Sequence, residues 1–354
     1  MFILGIFLLI IMTFIPYLKS DIDLNEWVKS LIELHFDPKH GAPYWIKKSE
    51  KLSFDPKKDI NSIEDLIHFP TADQEVLRKC PTEYFMPKRF PKSEFDIGES
   101  SGTTGPKKRI PWHKDVTSDV IQFYNFNLDL WKIPKKINYL ALGPPGLYEK
   151  HIQNVVQQRE GLCFFIGIEP KGMKEALAGV SALKPWKVSY LLKYLKPLNE
   201  EFNQIMKQQN IGAIISAPQM LKKYPKEIDV SNLEAVLWGG VGLTPEDYGD
   251  LKVMYDDTKV TGWYGNIFWG PAFNIPSHDD KLRYYPPFPY VSFEVVMPGT
   301  KKPVGYGARG QVMFSRIGKD FFWPNQLERD IATKIKGDDP YFWNGAQNVA
   351  PLMH

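Results

Sequence analysis

Cysteine is scarce in this 354-residue chain: there are two, Cys80 and Cys163. Two thiols so far apart in sequence build neither a disulfide scaffold nor a metal-ligating pair. Each reads as a buried, inert thiol, and a reducing compartment, the cytoplasm, is the natural setting. A surplus of charge is lacking too. With 44 Lys and Arg against 41 Asp and Glu, the formal net charge is +3, too balanced for a nucleic-acid partner. No internal repeat or low-complexity segment is apparent. No Gly-x-x-x-x-Gly-Lys-[Ser/Thr] run occurs, and no protein-kinase signature set, so phosphoryl transfer of those two kinds has no support. What the chain does have is 43% hydrophobic and 14% aromatic residues. That is enough for a sizeable core and an aromatic-lined pocket.

A long uncharged run occurs at the start. Residues 1–18 carry no charge, and Phe2 to Met12 are almost purely aliphatic and aromatic. The run sits at the lower limit for a membrane-spanning helix, about 17–20 residues. No basic stretch precedes it and no small-residue cleavage site comes after it, so a cleaved leader has little support. Pro16 would fray such a helix. Three readings of segment 1–19 stand. It is a membrane anchor holding Lys19 and the rest of the chain at the inner, cytoplasmic face, an over-long start, or a hydrophobic helix docked on a partner.

The most informative stretch is Gly98-Glu99-Ser100-Ser101-Gly102-Thr103-Thr104-Gly105-Pro106-Lys107-Lys108-Arg109. Glycine lets a backbone turn tightly and approach a ligand. Consecutive N–H groups in such a turn cradle anions, hydroxyls add donors, and the three cations add charge. A polyphosphate suits that combination, and a flexible loop before a basic surface is the alternative. Apolar spacing predicts a helix over 115–131, so that its N-terminus points at the phosphates. Upstream, helical spacing covers Asp23 to Leu34. A helix opens at Pro70 with Thr71 as its cap.

Further on, short apolar runs alternate with helical patterns. Ile137 to Leu142, Leu162 to Ile168, Gly212 to Ser216, Leu233 to Trp238 and Lys259 to Tyr264 read as buried strands of an α/β fold with a parallel sheet. Ligands in such sheets bind beyond the strands' carboxyl ends. Gly143-Pro144-Pro145-Gly146, Gly239-Gly240 and Tyr264-Gly265 fall there. After Tyr284 the period becomes two, which predicts a small antiparallel β-subdomain appended to the α/β body.

Ser100-Ser101-Gly102-Thr103-Thr104-Gly105 resembles the phosphate loop of the adenylate-forming superfamily of acyl-CoA synthetases and luciferases. With Glu99 it looks closest to the phenylacetate-CoA ligase and coenzyme F390 synthetase branch, where arylcarboxylate reductase components also sit. The resemblance runs over residues 20–335 as an AMP-binding adenylation domain. It implies ATP as a substrate, CoA as the second acceptor and a small aryl or acyl carboxylic acid as the activated group. Ser101, Gly102, Thr103, Thr104, Gly105 and Lys108 would hold the phosphates, with Lys108 catalytic. Gly239, Gly240 and Tyr264 would frame adenine, Asp330 the ribose, and Trp238, Trp263, Phe268 and Trp269 the acid.

Departures from the family pattern are equally specific. The family's Tyr-Gly-x-Thr-Glu supplies a carboxylate for Mg²⁺. Here the run is Tyr264-Gly265-Asn266-Ile267-Phe268, so no metal ligand is assigned. The turn before Asp330 is less basic than the family's. Residues 336–354 read as a short tail without the family's lid, no lid lysine can be assigned, and a separate lid-bearing subunit is one remedy. The rival reading is a catalytically weak nucleotide- or acyl-binding protein, or one subunit of a multi-component ligase or reductase.

Overall fold

The computed structural model describes residues 23–352 apart from 103–104, 170–184, 225–228, 241, 278 and 280. The expectations for residues 1–18, Thr103 and Thr104 lie outside the described residues.

The parallel strands form where the sequence places continuous apolar runs. They are β3 (Asn138–Gly143), β4 (Cys163–Gly167), β5 (Ile211–Ser216), β6 (Ala235–Trp238) and β7 (Lys259–Asn266). Every residue of β5 and β6 is buried, because helices on the faces of a parallel sheet leave no solvated side. Burying one such Ile or Leu side chain contributes about 1.5–3 kcal/mol. The antiparallel strands are β8 (Gly270–Asn274), β9 (Arg283–Tyr285), β10 (Val291–Val296), β11 (Arg309–Ile317), β12 (Phe322–Ile335) and β13 (Gly345–Pro351). Along β10 buried and half-buried residues alternate until the last pair, as the period-two reading requires.

These strands do not stand apart as two sheets. They hydrogen-bond in the order β10-β11-β12-β13-β9-β8-β7-β6-β5-β3-β4. β7 is the junction, parallel to β6 and antiparallel to β8. Residues 345–351, expected to belong to a tail, form β13 instead. It pairs with β12 on one side and β9 on the other. Isolated from its partners, the segment shows too little apolar periodicity to read as a strand. A separate hairpin, β1 (Phe95–Glu99) with β2 (Arg109–His113), carries the glycine-rich loop.

Among the described residues five helices of ten or more residues complete the frame: α1 (Leu24–His35), α2 (Lys114–Leu130), α3 (Leu147–Gln158), α4 (Pro185–Gln208) and α5 (Pro245–Met254). Asp23 caps α1 by accepting the N–H groups of Asn25 and Glu26. The helix buries Val28, Leu31, Ile32 and His35, the helical spacing of one face. These side chains share a core with Trp45, Ile317 and Phe322, and the Trp45 indole donates to the Phe322 carbonyl at 2.8 Å. The helix expected from Thr71 is a single turn, Val76–Lys79. Asp73 rather than Thr71 makes the turn, accepting from the Glu75 N–H at 2.9 Å.

Candidate functional site

Five parallel strands end at one edge of the sheet, and a cavity of about 1190 Å³ opens there. Gly143, Ser216, Gly239 and Gly265, all at or next to those strand ends, lie in its wall. The β1–β2 hairpin closes one side with Glu99, Ser100, Ser101, Gly102, Lys107 and Lys108. The hairpin turn needs its glycines: Gly102 has φ +66° and Gly105 +140°, angles that an L side chain resists. The turn is tied to its own stem, since Ser100 N–H donates to the Lys108 carbonyl at 2.9 Å. In return, Ser100 Oγ accepts from Lys108 N–H at 2.8 Å.

The relation of this loop to the next helix differs from expectation. β2 stands between them, and its five residues span about 16 Å. α2 therefore begins away from the loop, capped by His113 accepting from Asp115 N–H. Of the hairpin's cations it is Lys107 and Lys108 that line the cavity, and the helix end found in its wall is that of α3, at Gly146 and Leu147.

Lys108 is buried at its stem and crosses the Phe268 ring, with Nζ 5.1 Å from the centroid. Its ammonium donates to Gln74 Oε1. Burial lowers its pKa, and the Arg78 and Arg329 guanidiniums lower it further. Arg329 also lines the cavity, beside Glu328. Asn266 Nδ2 donates to Glu328 Oε1 at 3.1 Å. Burial pushes the Glu328 carboxyl up to about 7, with Asp330 adding to the rise and Asn266 and Lys108 opposing it. This end of the cavity is thus polar and cationic, with one carboxyl that titrates near neutrality.

The other end is aromatic and aliphatic: Trp112, Tyr124, Leu142, Tyr148 and Trp263 line it, with His151 among them. Trp112 is held by its indole N–H on the Ile267 carbonyl at 3.1 Å. The Arg316 guanidinium lies 4.0 Å from the Trp112 ring centroid. Gly239 has to be glycine, since a Cβ there would come 2.8 Å from the Trp263 ring.

The structure brings together Ser101, Gly102, Lys108, Gly239, Gly240, Trp263 and Phe268 at the cavity, and Gly105 lies in the hairpin turn. It does not bring the other four. Tyr264 is next to Trp263 on β7, so its side chain leaves by the opposite face. It packs against Trp269 and Tyr284 and donates to Asp330 Oδ2 at 2.7 Å. Tyr264 and Asp330 are thus partners behind the wall rather than in it. Trp238 and Trp269 are fully buried. Trp238 meets the Tyr248 edge at 5.6 Å and Trp269 the Phe293 edge at 4.9 Å. Both are core residues that do not line the cavity.

Sequence reasoning missed Gln74, Glu328, Arg329, Trp112, Tyr124, Tyr148 and His151. One signal was available for two of them. Leu147, Tyr148 and His151 come directly after the strand-end Gly143–Gly146 loop, and Leu147 and His151 are four apart on one helical face. Glu328 and Arg329 directly precede Asp330, and a register shift in the β11–β12 pairing, where Gln311 faces Ile331 but Met313 faces Leu327, breaks the alternation at 328–330, so that these two line the cavity and Asp330 does not.

The residues present do not compose a protein-held Mg²⁺ site. Phe268 stands at the position of the family's glutamate, and no group of three His, Cys, Asp or Glu comes together among the described residues. No helix among the described residues is long and apolar enough to cross a membrane.

Neither a protein-family model nor a curated protein sequence matches the chain. Solved structures do. One is 2-hydroxyisobutyryl-CoA ligase in an open conformation, in complex with 2-HIB-AMP and CoA. It has a TM-score of 0.65 and 14% identity, over 93% of this chain and 68% of the ligase. Another is the same ligase in the postadenylation state with R3-HIB-AMP, with TM-score 0.64 and 13% identity, over 92% of this chain and 66% of the ligase. The chain therefore spans about two thirds of that enzyme's length. At such identities the likeness establishes architecture: the chain has the fold of the adenylate-forming N-terminal domain.

Proposed function

We propose that this chain activates a small carboxylic acid by adenylation. A carboxylate oxygen attacks the α-phosphorus of ATP. The bond from that phosphorus to the pyrophosphate oxygen breaks, leaving acyl-AMP and pyrophosphate. One observation carries the reading. A single cavity beyond the parallel strand ends has a cationic end, with Lys107, Lys108 and Arg329, and an aromatic end, with Trp112, Tyr124 and Trp263. That division matches a substrate pair of one polyanion and one apolar acid.

In this reading the backbone of Ser101, Gly102 and Gly105, together with Thr103 and Thr104, cradles the β- and γ-phosphates. Lys108 neutralises charge as it shifts to the leaving pyrophosphate, the kind of pre-placed stabilisation that lowers such barriers. Gly239 and Gly240 let the base approach the backbone. Trp263 and Phe268 bound the acid. Transfer of the acyl group to the CoA thiol, which releases AMP, belongs to the same proposal, as do an aryl acid of the phenylacetate type and a partner subunit bearing a lid lysine.

Phe268 in place of a carboxylate favours a second reading, a nucleotide- and acyl-binding protein of weak catalysis. ATP–pyrophosphate exchange separates the two. Exchange dependent on an added aryl or aliphatic acid supports adenylation. ATP binding by calorimetry with no exchange for any acid leaves the second reading in its place.

A further inference from the structure

The aromatic end of the cavity contains one imidazole. His151 lies on α3, one turn beyond Leu147 on the same face, and is 5% exposed. Its Nε2 has no hydrogen-bond partner among the described residues. Its ring meets the Trp112 edge at 5.3 Å. A buried polar atom left unbonded costs about 1–3 kcal/mol, so such atoms in folded proteins call for an explanation.

A purely structural role explains His151 poorly. His35 offers the control within the same molecule. It is as deeply buried, but its Nε2 is 2.8 Å from the Gly318 carbonyl, leaving only Nδ1 unbonded, and it does not line this cavity. One backbone bond fixes its tautomer and ties α1 to the turn after β11. His151 lines the cavity instead.

Charge decides what His151 can recognise. Burial pushes its pKa down to about 4, with Arg316 lowering it further against an opposing effect of Asp96. The ring is neutral at pH 7, so it offers one N–H donor and one bare acceptor. A carboxylate, which only accepts, can use the donor alone, whereas a hydroxyl both donates and accepts and can use either nitrogen. Tyr124 and Tyr148, whose phenols are also kept protonated by burial, line the same end. An apolar pocket with a few placed polar groups is how proteins orient a substituted ligand.

We propose that the acid carries a hydroxyl substituent and that His151 is the residue that reads it. This rests on the adenylation reading. Its chemistry comes from the asymmetry of recognition: a site built to bond a hydroxyl rejects the analogue lacking it far more strongly than an apolar site rejects an added hydroxyl.

The test is calorimetry of the whole chain with paired acids: the 2-, 3- and 4-hydroxybenzoates against benzoate, 4-hydroxyphenylacetate against phenylacetate, and 2-hydroxyisobutyrate against isobutyrate. At least one hydroxylated acid should bind about 100-fold more tightly than its partner. H151F should bring that ratio to within a few-fold of one, and H151Q, which keeps a donor and an acceptor, should restore part of it. Far-UV circular dichroism and thermal unfolding check that both variants are folded. Equal binding within every pair, no binding of any acid, or a preference that survives in H151F overturns the proposal. ATP binding is measured separately. If ATP binds and no pair discriminates, only the hydroxyl inference falls. If ATP does not bind, the adenylation reading falls with it.

Discussion

The two ends of the cavity are built by opposite means. The cationic end hangs on a hairpin turn, residues 100–108, held by two hydrogen bonds across its own stem and by Arg78 donating to the Pro106 carbonyl at 2.9 Å. The aromatic end is part of the core: Trp112, Tyr124 and Trp263 are at most 4% exposed, and Tyr124 and Trp263 meet edge to face at 5.1 Å. A polyanion is recognised by donors on a backbone that adjusts. An apolar acid is recognised by shape, which needs walls as close-packed as an interior. The contrast predicts that damage to one end leaves the other intact, except where one residue supports both.

Arg316 is that residue. From β11 its guanidinium covers the Trp112 ring and donates to the Phe268 carbonyl at 3.1 Å. It also pairs with Asp320 at 2.8 Å, where both side chains are at most 1% exposed. Asp320 in turn accepts the His113 N–H at 3.2 Å at the end of β2. R316M leaves a buried carboxylate without its cation, and the expected loss is about 3–5 kcal/mol in chemical denaturation. ATP and acid affinities should fall together in this variant. R316M/D320L should recover much of the stability, because removing both charges removes the unpaired one. An R316M protein as stable as the parent would mean that the two ends do not share this support.

The next effect belongs to the cationic end alone. K108A removes a charged donor placed for phosphate. A hydrogen bond to a charged group contributes about 1.5–3 kcal/mol, so ATP should bind roughly 10- to 100-fold more weakly. Acid affinity, measured without nucleotide, should stay within about twofold. A parallel loss of acid binding would show that Phe268, which Lys108 covers, couples the ends.

This division was partly legible in the sequence. The glycine-rich loop, Lys108, Gly239-Gly240 and Trp263 could be read because turn glycines and strand-end positions have local signatures. The parallel strands could be read for the same reason, as continuous apolar runs. What escaped depends on which face of a strand a side chain takes. Tyr264 and Trp263 are neighbours of equal aromatic character, and only the pairing of β7 with β6 and β8 decides that Trp263 faces the cavity. On β12 a register shift against β11 breaks the alternation, which brings Glu328 and Arg329 to the cavity in place of Asp330. β13 escaped for another reason. Its order comes from lying between β12 and β9, and a strand held by its partners leaves little trace in its own pattern.

Glu328 gives the smallest effect, and it tests the character of the cationic end most finely. Its carboxyl sits near Lys108, Arg329 and Asp330 and accepts from Asn266. Burial raises its pKa from the ordinary carboxylate range to about 7. The group is therefore protonated and neutral below that pH and ionised above it. An anion beside a polyphosphate repels it, so ATP affinity should fall as pH rises through about 7. The bound polyphosphate should push the carboxyl's pKa higher still. ATP's own terminal phosphate titrates nearby, so the informative quantity is the difference between the parent and E328Q, which stays neutral throughout. Calorimetry at about pH 6 and about pH 8 should give similar affinities for the two proteins at the lower pH. At the higher pH E328Q should bind more tightly by on the order of 1 kcal/mol, a few-fold. Identical pH profiles would place Glu328 away from the phosphates and leave the cationic end to the hairpin alone.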